Sequence, residues 1–439
     1  MAVGITHKDS IISKAISAEL EIFSSEAMPK CKDNVTLQYP NKMKENDILK
    51  PIETDFGQVI QSNEFYRSSI VPNSLILADN YYAIKALQND YQGKVRLIYL
   101  DPPYGTGMTF QSRKLEYAYD DFLGTASWLE FMRRRLILMR ELLTEDGSIY
   151  VHIGHQMLFH LKIIMDEVFG VSNFRNLIVR KKCSSKNYTK KQYPNLNDYI
   201  LFYTKSNSHI WNQPSTQASE EWIVKEYPKI DEKGRYKLVP IHAPGERNGE
   251  TGKPWKGLMP PLGKHWQFTP SKLDELDKNG EIHWSRNGNP RRKVYLTPNK
   301  TLQITDYWDK YRDAHHQSIK ITGYPTEKNF EMLKVIVSAS SNPNDIVLDP
   351  FCGSGTTLHA ARDLDRRWIG IDQSFQAIET TLTRLKKGLY PMGDYVKKDP
   401  DVITQSLFSI EGKELNLFTS DEIYKNCRDE VNALADIFS

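Results

Sequence analysis

Short apolar runs alternate with amphipathic stretches through the first half of the chain. Residues 74–80 and 95–101 have the continuous apolar pattern of buried strands, and the segment between them, YYAIKALQNDY, has a helical pattern. A helix at 127–143, a strand at 148–154 and a helix at about 156–169 follow. Because a strand, a helix and a strand in this order form a βαβ unit, the pattern predicts a parallel pair with a right-handed crossover.

The composition and the apolar pattern of the sequence change after two strand-like runs within 174–206. Between about 207 and 310 the long apolar periods disappear, and Pro, Gly, Trp, Asn and Lys become frequent. This composition predicts a loop-rich insertion with a small core of its own. Regular patterning resumes with a helix at 329–341 and with the segment 344–372, in which two strands flank a glycine-rich turn.

Size and charge constrain the domain number and the class of partner only weakly. The 439 residues suit one large α/β domain with an insertion, or two domains. A net charge of +3 does not by itself indicate a nucleic-acid partner. Basic residues nevertheless cluster at 133–135, 180–182, 190–191 and 291–293. One such cluster is usually a solvated face, whereas four of them favour contacts with phosphate groups.

The positions of the cysteines and the lengths of the apolar runs indicate whether a metal site is expected and in which cellular compartment the protein works. The four cysteines lie far apart and form no C-x-x-C pair, so neither a zinc site nor a disulfide framework is expected. Adjacent His315 and His316 would point to opposite faces of an extended chain, so we expect no metal there either. No apolar run suits a signal peptide or a membrane span, which favours the cytoplasm and argues against a membrane partner.

The segment IVLDPFCGSGTT combines a buried strand, a glycine turn and a helix start at Thr356. Gly353 and Gly355 allow a ligand to approach the backbone closely, and the helix N-terminus favours negative charge. Asp372 ends the next strand, 17 residues after Gly355, where a Rossmann-type site places an acid for ribose hydroxyls. The third glycine of the dinucleotide fingerprint is missing, so S-adenosylmethionine fits better than a pyrophosphate cofactor. A purely structural turn is the alternative.

A second motif, DPPY at 101–104, ends a buried strand. An exocyclic amine of a base is a poor nucleophile because its lone pair is delocalised into the ring. The Asp101 carboxylate and the Pro102 carbonyl can accept hydrogen bonds from its two N–H groups, and Pro103 stiffens the next step. Tyr104 offers a face for stacking worth ~1–3 kcal/mol, comparable with the cost of flipping a base. Alone, the motif could equally be a strand-ending turn.

Together these motifs resemble those of the amino-group DNA methyltransferases, in the β-group order with the catalytic half before the cofactor half. DPPY matches their catalytic motif, DPFCGSG at 349–355 their cofactor motif, and GYPTEKN at 323–329 the segment that precedes it. Asn329 stands where the family usually has proline. The resemblance spans roughly residues 70–385 and includes the modification enzymes of type III restriction–modification systems.

The resemblance implies an α/β fold with a doubly wound, mostly parallel Rossmann-like sheet that is circularly permuted and carries an inserted target-recognition domain. The expected parts are an N-terminal extension (1–70), a catalytic half (71–206), a target-recognition insertion (207–310), a cofactor-binding half (311–390) and a C-terminal tail (391–439). The expected catalytic residues are Asp101, Pro102, Pro103 and Tyr104. The expected S-adenosylmethionine ligands are Asp79, Thr326, Lys328, Asp349, Phe351, Gly353, Gly355, Thr356 and Asp372. Asp79 is included because it ends a strand near the crevice, although it could instead cap the next helix.

The expected activity is site-specific methylation of duplex DNA on a flipped base. Among relatives, aspartate at the first motif position goes mostly with adenine, so Asp101 favours adenine N6 over cytosine N4. An RNA or protein methyltransferase usually has the glycine loop before the D/N-P-P-Y/F motif, which is the reverse of the order here. A DNA-binding regulator with a dead site would show a broken motif, and both motifs are intact.

Partners follow from the same interpretation. Arg286, Arg291 and Arg292 in the insertion are candidates for groove or phosphate contacts with double-stranded DNA. The sequence has no G-x-x-x-x-G-K-[ST] motif and no convincing nuclease site, so any restriction endonuclease is expected on another polypeptide. A homodimer is left open.

Overall fold

The structure is a computed structural model that describes residues 35–52, 56–60, 64–105, 109–111, 117–120, 124–183, 191–313, 327–387 and 415–437. Its helices are α1 (Glu45–Leu49), α2 (Asn80–Tyr91), α3 (Thr125–Leu142), α4 (Leu158–Phe169), α5 (Glu220–Glu226), α6 (Pro270–Lys278), α7 (Phe330–Ser340), α8 (Thr356–Asp363), α9 (Phe375–Lys387), α10 (Asp421–Asn426) and α11 (Arg428–Asp436). Its strands are β1 (Phe56–Ile60), β2 (Glu64–Arg67), β3 (Ser74–Leu77), β4 (Val95–Leu100), β5 (Thr109–Gln111), β6 (Tyr117–Asp120), β7 (Leu143–Ile153), β8 (Phe174–Lys181), β9 (Asn197–Thr204), β10 (Ser215–Gln217), β11 (Lys229–Asp231), β12 (Gly234–Pro240), β13 (His242–Pro244), β14 (Lys264–Trp266), β15 (Ile282–Trp284), β16 (Pro290–Tyr295), β17 (Thr301–Gln303), β18 (Tyr307–Trp308), β19 (Ile346–Asp349), β20 (Arg367–Asp372) and β21 (Asn416–Ser420).

The described residues up to Asn212 and from Asp306 onward form the larger of two compact units, and Gln213–Thr305 forms the smaller. In the larger unit, eleven of the described strands form one sheet in the order β18-β8-β9-β7-β4-β19-β20-β3-β21-β1-β2. In this order, the neighbouring strands of the section β7-β4-β19-β20-β3-β21 all run parallel to one another. By contrast, β9 is antiparallel to β7 and β8, and β1 is antiparallel to β21 and β2. The expectation of a doubly wound, mostly parallel α/β sheet is confirmed.

The middle of this sheet explains the continuous apolar runs. All four residues of β3 and all four of β19 are buried, as expected for parallel strands covered on both faces. In the larger unit, α1 to α4 pack together as one group, and α7 to α9 pack together as a second group that α11 also contacts. The sequence pattern therefore identified the central strands because both of their faces are apolar.

The neighbours of these strands differ from the expectation. β3 and β4 run parallel, but β19 and β20 lie between them, so the expected direct pairing of β3 with β4 is wrong. Local periodicity identifies a strand and not its partner, because pairing depends on segments remote in sequence. Here two strands from late in the chain fill the centre of the sheet, which is the permuted arrangement.

The permutation creates a switch point between β4 and β19. From β4 the chain passes through α3 to β7 on one side, whereas from β19 it passes through α8 to β20 on the other side. In an open α/β sheet, ligands bind at the carboxyl ends of the strands where the connections diverge in this way. DPPY follows β4 and the glycine turn follows β19, so the two motifs meet at this point.

Segments from both ends of the described chain contribute to the sheet. We expected 1–70 as an extension and 391–439 as a tail, yet β1, β2 and β21 all join the main sheet. β21 pairs in parallel with β3, and its Leu417 and Phe418 are buried. A strand of five residues between polar segments has too short a pattern to be recognised from sequence.

The smaller unit lies within the expected insertion of 207–310. It contains a four-stranded sheet, β11-β12-β16-β15, and the pairs β13/β14 and β10/β17. Its core is small and includes the buried Trp255 and Trp266. Among the helices in the described ranges, none combines the length and the apolar character that a membrane span requires.

Candidate active site

The catalytic loop, residues 101–105, leaves the carboxyl end of β4 with its side chains held in place. The Tyr104 hydroxyl donates to Asp101 Oδ1 at 2.9 Å. The indole of Trp128, in α3, donates to the Pro103 carbonyl at 2.7 Å. Because the rings of Pro102 and Pro103 also fix their φ angles, the Asp101 carboxylate has a defined position at the sheet edge.

The Tyr104 ring packs against the end of β7. A Cβ on Gly154 would lie 2.9 Å from Tyr104 Cδ2, so glycine there allows the ring to approach the strand. Burial and the neighbouring Asp101 carboxylate raise the pKa of Tyr104 well above its usual range. The phenol therefore stays protonated at neutral pH and acts as a hydrogen-bond donor to Asp101.

Lys328, from the segment GYPTEKN, contacts the catalytic loop. Its ammonium group forms an ion pair with Asp101 Oδ2 and lies 5.7 Å from the centroid of the Tyr104 ring. The next residue, Asn329, caps α7 by accepting a hydrogen bond from the Met332 N–H at 3.1 Å. Its amide also donates to the Arg312 carbonyl. Asparagine in place of the usual proline thus has a structural role that fixes the residue after Lys328.

The glycine loop, residues 350–355, follows β19 and is held mainly through its main chain. Gly353 and Gly355 have φ angles of +49° and +70°. The Gly355 N–H donates to the Cys352 carbonyl at 2.7 Å, and the Thr381 hydroxyl donates to the Gly353 carbonyl at 2.9 Å. A Cβ on Gly355 would lie 2.6 Å from Thr381 Cγ2. Glycine is therefore required here both by conformation and by the close approach of α9.

Two carboxyl groups flank the glycine loop. Asp372, at the end of β20, accepts from the N–H groups of Gly353 and Ser374, each at 2.9 Å, and burial raises its pKa. Asp349, at the end of β19, accepts from the Phe351 N–H at 3.1 Å. Burial raises the pKa of Asp349 to about 7, against the opposing effect of its hydrogen bonds. The carboxyl ends of β19 and β20 therefore present two acids beside the loop. Asp372 is ordered by two N–H groups, and Asp349 titrates near neutrality.

Sequence comparison gives the family of this site. A family model described as DNA methylase, of the N6/N4 type, matches residues 95–383. The type II methyltransferase M.EcaI of Enterobacter cloacae is 55% identical over 425 residues, which cover 96% of this chain and 93% of that protein. The chain belongs to the N6/N4 family of DNA methylases.

More distant relatives include a Mod subunit of a type III restriction–modification enzyme and a second type II methyltransferase. The StyLTI Mod subunit of the type III enzyme of Salmonella typhimurium is 27% identical, over 70% of this chain and 52% of that protein. The type II methyltransferase M.KpnI of Klebsiella pneumoniae is 26% identical, over 67% of this chain and 77% of that protein. These likenesses confirm the expected resemblance.

As a DNA methylase of this family, the protein uses S-adenosylmethionine as its methyl donor. The residues present fit that group. Gly353 and Gly355 present backbone without side chains just before α8, and Asp372 lies beside them with its carboxylate already oriented by two N–H groups. The individual ligand residues remain predictions.

Asp79 lies between β3 and α2, and its contacts show a helix cap. Its Oδ1 accepts from the Tyr81 N–H at 2.7 Å and so caps α2, which was the alternative interpretation, and it also pairs with Arg135. The next residue, Asn80, is buried and donates to the Pro350 carbonyl at 2.7 Å. Asn80 therefore joins the end of β3 to the glycine loop, a role that the sequence did not reveal. An adenine contact for Asp79 remains a prediction.

A buried arginine behind the glycine loop was also missed. Arg384, in α9, pairs with Glu327 at 2.9 Å and donates to the Thr356 hydroxyl at 2.9 Å and to the Ser354 carbonyl at 3.3 Å. Glu327 immediately precedes Lys328, so one side chain fixes both the glycine loop and the lysine segment. Nothing in the sequence signals it, because an arginine in an amphipathic helix usually faces water.

A second buried polar network lies behind Tyr104. His152, in β7, is fully buried, with its ring centroid 6.3 Å from that of Tyr104, and its Nδ1 is 2.8 Å from the Tyr99 hydroxyl. Burial lowers the pKa of His152. Asp198, in β9, lies 3.7 Å from His152 Nε2 and accepts from Lys182. These neighbours hold the pKa of Asp198 below its usual range even though burial opposes ionisation.

The remaining site predictions are placed as follows. Phe351 is half-buried, with its ring centroid 6.0 Å from that of Phe131. Thr326 lies outside the described residues, as do His315 and His316. Within the described ranges no cluster of three or more metal-ligating side chains occurs.

The three arginines of the smaller unit do not share one surface. Arg286 and Arg291 are exposed, whereas Arg292 is half-buried and stacks over the Phe268 ring at 5.1 Å. Arg291 and Arg292 are consecutive in β16, so their side chains point to opposite faces of the sheet. DNA contacts by any of the three remain predictions, and Arg292 is the least suited to one.

Proposed function

We propose that this DNA methyltransferase methylates the N6 amine of adenine within a specific duplex sequence, acting on a base flipped out of the helix. The observation that carries the proposal is the position of the Asp101 carboxylate at the switch point, fixed by Tyr104 and Lys328. Aspartate at the first position of the motif is the feature that favours adenine over cytosine.

Asp101 accepts a hydrogen bond from one N–H of the target amine. A carboxylate has about four lone-pair sites, so its contacts with Tyr104 and Lys328 leave acceptor capacity. The Pro102 carbonyl accepts from the other N–H. These acceptors favour a pyramidal nitrogen whose lone pair points at the methyl group, and positioning of this kind is the main catalytic contribution.

The Tyr104 ring provides the stacking face for the flipped base, supported from behind by Gly154 and His152. S-adenosylmethionine supplies an activated methyl group on a sulfonium, so the reaction is one in-line displacement. Methylation leaves an extra proton on the amine, and Asp101 or water accepts it. Lys328 and the glycine loop hold the amino-acid end of the cofactor, and Asp372 accepts hydrogen bonds from the ribose.

The test for the target base is direct. The chain is expressed in a host without DNA methylation of its own, and the DNA is digested to nucleosides and analysed by mass spectrometry. N6-methyldeoxyadenosine supports the proposal. N4-methyldeoxycytidine alone overturns the choice of base, and the absence of both overturns activity on DNA.

The smaller unit, Gln213–Thr305, is proposed as the target-recognition part. The larger unit is occupied by the sheet and by both motifs, whereas the smaller unit has its own core and exposed cations. Exchange of this segment with that of a relative should transfer the methylated sequence, as read by single-molecule sequencing. An active chimera that keeps its original sequence would place recognition elsewhere.

We also propose that the chain acts as the modification enzyme of a restriction–modification system whose endonuclease is a separate polypeptide. The name of the relative at 55% identity, a type II methyltransferase, supports this role. Methylated DNA from the expressing host should resist an endonuclease that cuts the same sequence. Sedimentation of the purified chain tests whether it forms a homodimer.

A further inference from the structure

A buried polar network lies beside the catalytic loop and has no part in the methyl transfer described above. It joins three neighbouring strands of the main sheet through Tyr99 in β4, His152 in β7 and Asp198 in β9. Each of these side chains is at most 4% exposed. Polar and charged side chains are seldom buried so completely, and groups of this kind concentrate at functional sites. The position of the network therefore indicates a role in the reaction.

The contacts of His152 define which of its ring nitrogens carries a proton. The ionised Asp198 carboxylate only accepts hydrogen bonds, so His152 Nε2, which faces Asp198 Oδ2 at 3.7 Å, carries one. Burial lowers the pKa of His152, so the ring is neutral and Nδ1 is an acceptor. The Tyr99 hydroxyl then donates to Nδ1 at 2.8 Å. The ring is thus oriented from both sides, by a hydrogen bond from β4 and by a carboxylate on β9.

Asp198 is itself held in place by two cations. Lys182 donates to Asp198 Oδ1 at 2.7 Å, and Arg180 Nη1 lies 3.7 Å from Asp198 Oδ2. The buried Arg180 is fixed in turn, because it donates to the Tyr311 carbonyl and to the Asp313 carboxylate, each at 2.7 Å. Asp198 therefore gives the His152 ring a charged partner whose position is fixed.

The His152 ring is a direct neighbour of the Tyr104 ring. Their centroids are 6.3 Å apart, and the ring planes are inclined by 35°. Gly154 follows His152 by two residues, so the two positions lie on the same side of the extended chain. A Cβ on Gly154 would lie 2.9 Å from Tyr104 Cδ2. The Tyr104 ring therefore packs against this side of the chain, and a rotation of the imidazole would remove part of its support.

We propose that Tyr99 and Asp198 are positioning residues, which act through His152 to hold the Tyr104 ring in the orientation that stacks on the flipped base. A functional side chain contributes fully only when packing and surrounding hydrogen bonds lock its rotamer. The inference rests on the proposed function, because it takes Tyr104 as the stacking face. It holds for adenine and for cytosine alike, since every base has a flat face.

The first test removes the hydroxyl of Tyr99 and keeps its ring. Tyr150→Phe is the matched control, because Tyr150 lies opposite Tyr99 in β7, is as deeply buried and bonds through its hydroxyl to Ser340 at 2.7 Å. The single-turnover rate should fall about 3- to 10-fold in Tyr99→Phe, the equivalent of one hydrogen bond, and stay at the wild-type value in Tyr150→Phe. Thermal unfolding should shift by a similar amount in both variants, so stability would not explain the difference.

The second test removes the charge of Asp198 and keeps its shape. An asparagine that accepts from Lys182 presents its NH2 group to His152 Nε2, so the proton of the ring must move to Nδ1. The Tyr99 hydroxyl then loses its acceptor. The single-turnover rate of Asp198→Asn should therefore fall at least as far as that of Tyr99→Phe.

Asp166→Asn is the control for the loss of a charge. Asp166 also accepts hydrogen bonds from a lysine and a tyrosine, Lys162 and Tyr203, each at 2.7 Å, and its variant should keep the wild-type rate. If thermal unfolding shows that Asp198→Asn does not fold, Tyr99→Phe decides the question, because it removes no charge.

A change of Tyr104 shows whether the network acts through that ring. In the Tyr104→Ala background, Tyr99→Phe should cost nothing further, because groups that act as a unit have non-additive effects. The target base is also replaced by 2-aminopurine, whose fluorescence is quenched when the base is stacked. In the complex with DNA, this base should be brighter with Tyr99→Phe than with wild type, and as dim with Tyr150→Phe as with wild type.

Two results overturn the inference. Additive losses in the Tyr104→Ala background would mean that the network acts elsewhere in the protein. Wild-type turnover and fluorescence in Tyr99→Phe would mean that Tyr104 needs no such support. Failure of the proposed function is distinguishable, because the wild-type chain would then transfer no methyl group to DNA, and the inference would fall with it.

Discussion

The catalytic loop and the glycine loop leave neighbouring parallel strands at the same edge of the sheet, yet they are held in different ways. Side chains hold the catalytic loop, through the Tyr104–Asp101 and Trp128–Pro103 hydrogen bonds. The glycine loop is held through its main chain, which bonds to its own residues and to side chains from elsewhere in the fold, namely Thr381, Asp372, Asn80 and Arg384. The first loop is predicted to supply the chemical groups, and the second is predicted to supply space for the cofactor. Substitution should therefore affect chemistry in the first loop, and both binding and stability in the second.

The largest expected effect is that of Asp101→Ala. Methyl transfer should fall by at least about 10²- to 10³-fold, because the acceptor is lost where the amine becomes nucleophilic. Cofactor affinity, measured by calorimetry, should change little. Asp90→Ala, at an exposed position in α2, is the control and should keep wild-type turnover with radiolabelled cofactor. Turnover near wild type in Asp101→Ala would remove this residue from the mechanism.

Gly355→Ala should damage binding and stability together. Its φ angle is +70°, and the new Cβ would lie 2.6 Å from Thr381 Cγ2. We expect a loss of about 1–3 kcal/mol in the free energy of unfolding and a large loss of cofactor affinity.

Gly93→Ala is the matched control for that change. Its φ angle is +66°, and a Cβ there would meet nothing within 4 Å, so it isolates the cost of the conformation. Denaturant unfolding and calorimetry of the two variants give the comparison. If the two variants lose the same stability and both keep cofactor affinity, the close approach of α9 is unimportant.

The sequence predicted the strands that carry both loops and the residues of both motifs. β4 and β19 are continuous apolar runs, and each motif follows its strand directly, so local pattern was sufficient. The neighbours of these strands were not predictable, because β19 and β20 enter between β3 and β4 from far along the chain.

The buried residues that support the two loops were harder to find in the sequence than the motif residues themselves. Arg384, Asn80 and His152 are polar side chains that the fold buries. In sequence each has the appearance of an ordinary exposed or strand residue. Their roles depend on partners remote in the chain, such as Glu327 for Arg384 and Pro350 for Asn80, and no local pattern encodes such pairs.

Tyr104→Phe sharpens the comparison by removing one hydrogen bond and keeping the ring. Turnover should fall about tenfold, the equivalent of one ordinary hydrogen bond of about 1.4 kcal/mol. Tyr104→Ala should lose more, because base stacking worth about 1–3 kcal/mol is lost as well. Single-turnover rates and DNA affinity measure the two contributions. Equal losses in both variants would show that the ring face contributes nothing.

The last expected effect is on the pH dependence of stability, in Asp349→Asn beside the glycine loop. Burial raises the pKa of Asp349 to about 7, so the unfolded chain releases this proton at a lower pH than the folded protein. Between about pH 4 and pH 7 the folded state therefore binds more protons, and the wild-type free energy of unfolding falls as pH rises. Asparagine cannot ionise and escapes this loss, so the advantage of the variant should grow from pH 5 to pH 7 and then level off. Its upper limit is about 4 kcal/mol. Asp349 also accepts hydrogen bonds from the Phe351 N–H and the Thr357 side chain, and imperfect replacement of these bonds by asparagine will reduce the gain. Denaturant unfolding at pH 5, 6, 7 and 8 measures the difference, with the exposed Asp90→Asn as a control that should show no such trend. A stability difference that is constant across this range would mean that Asp349 ionises normally in the folded protein.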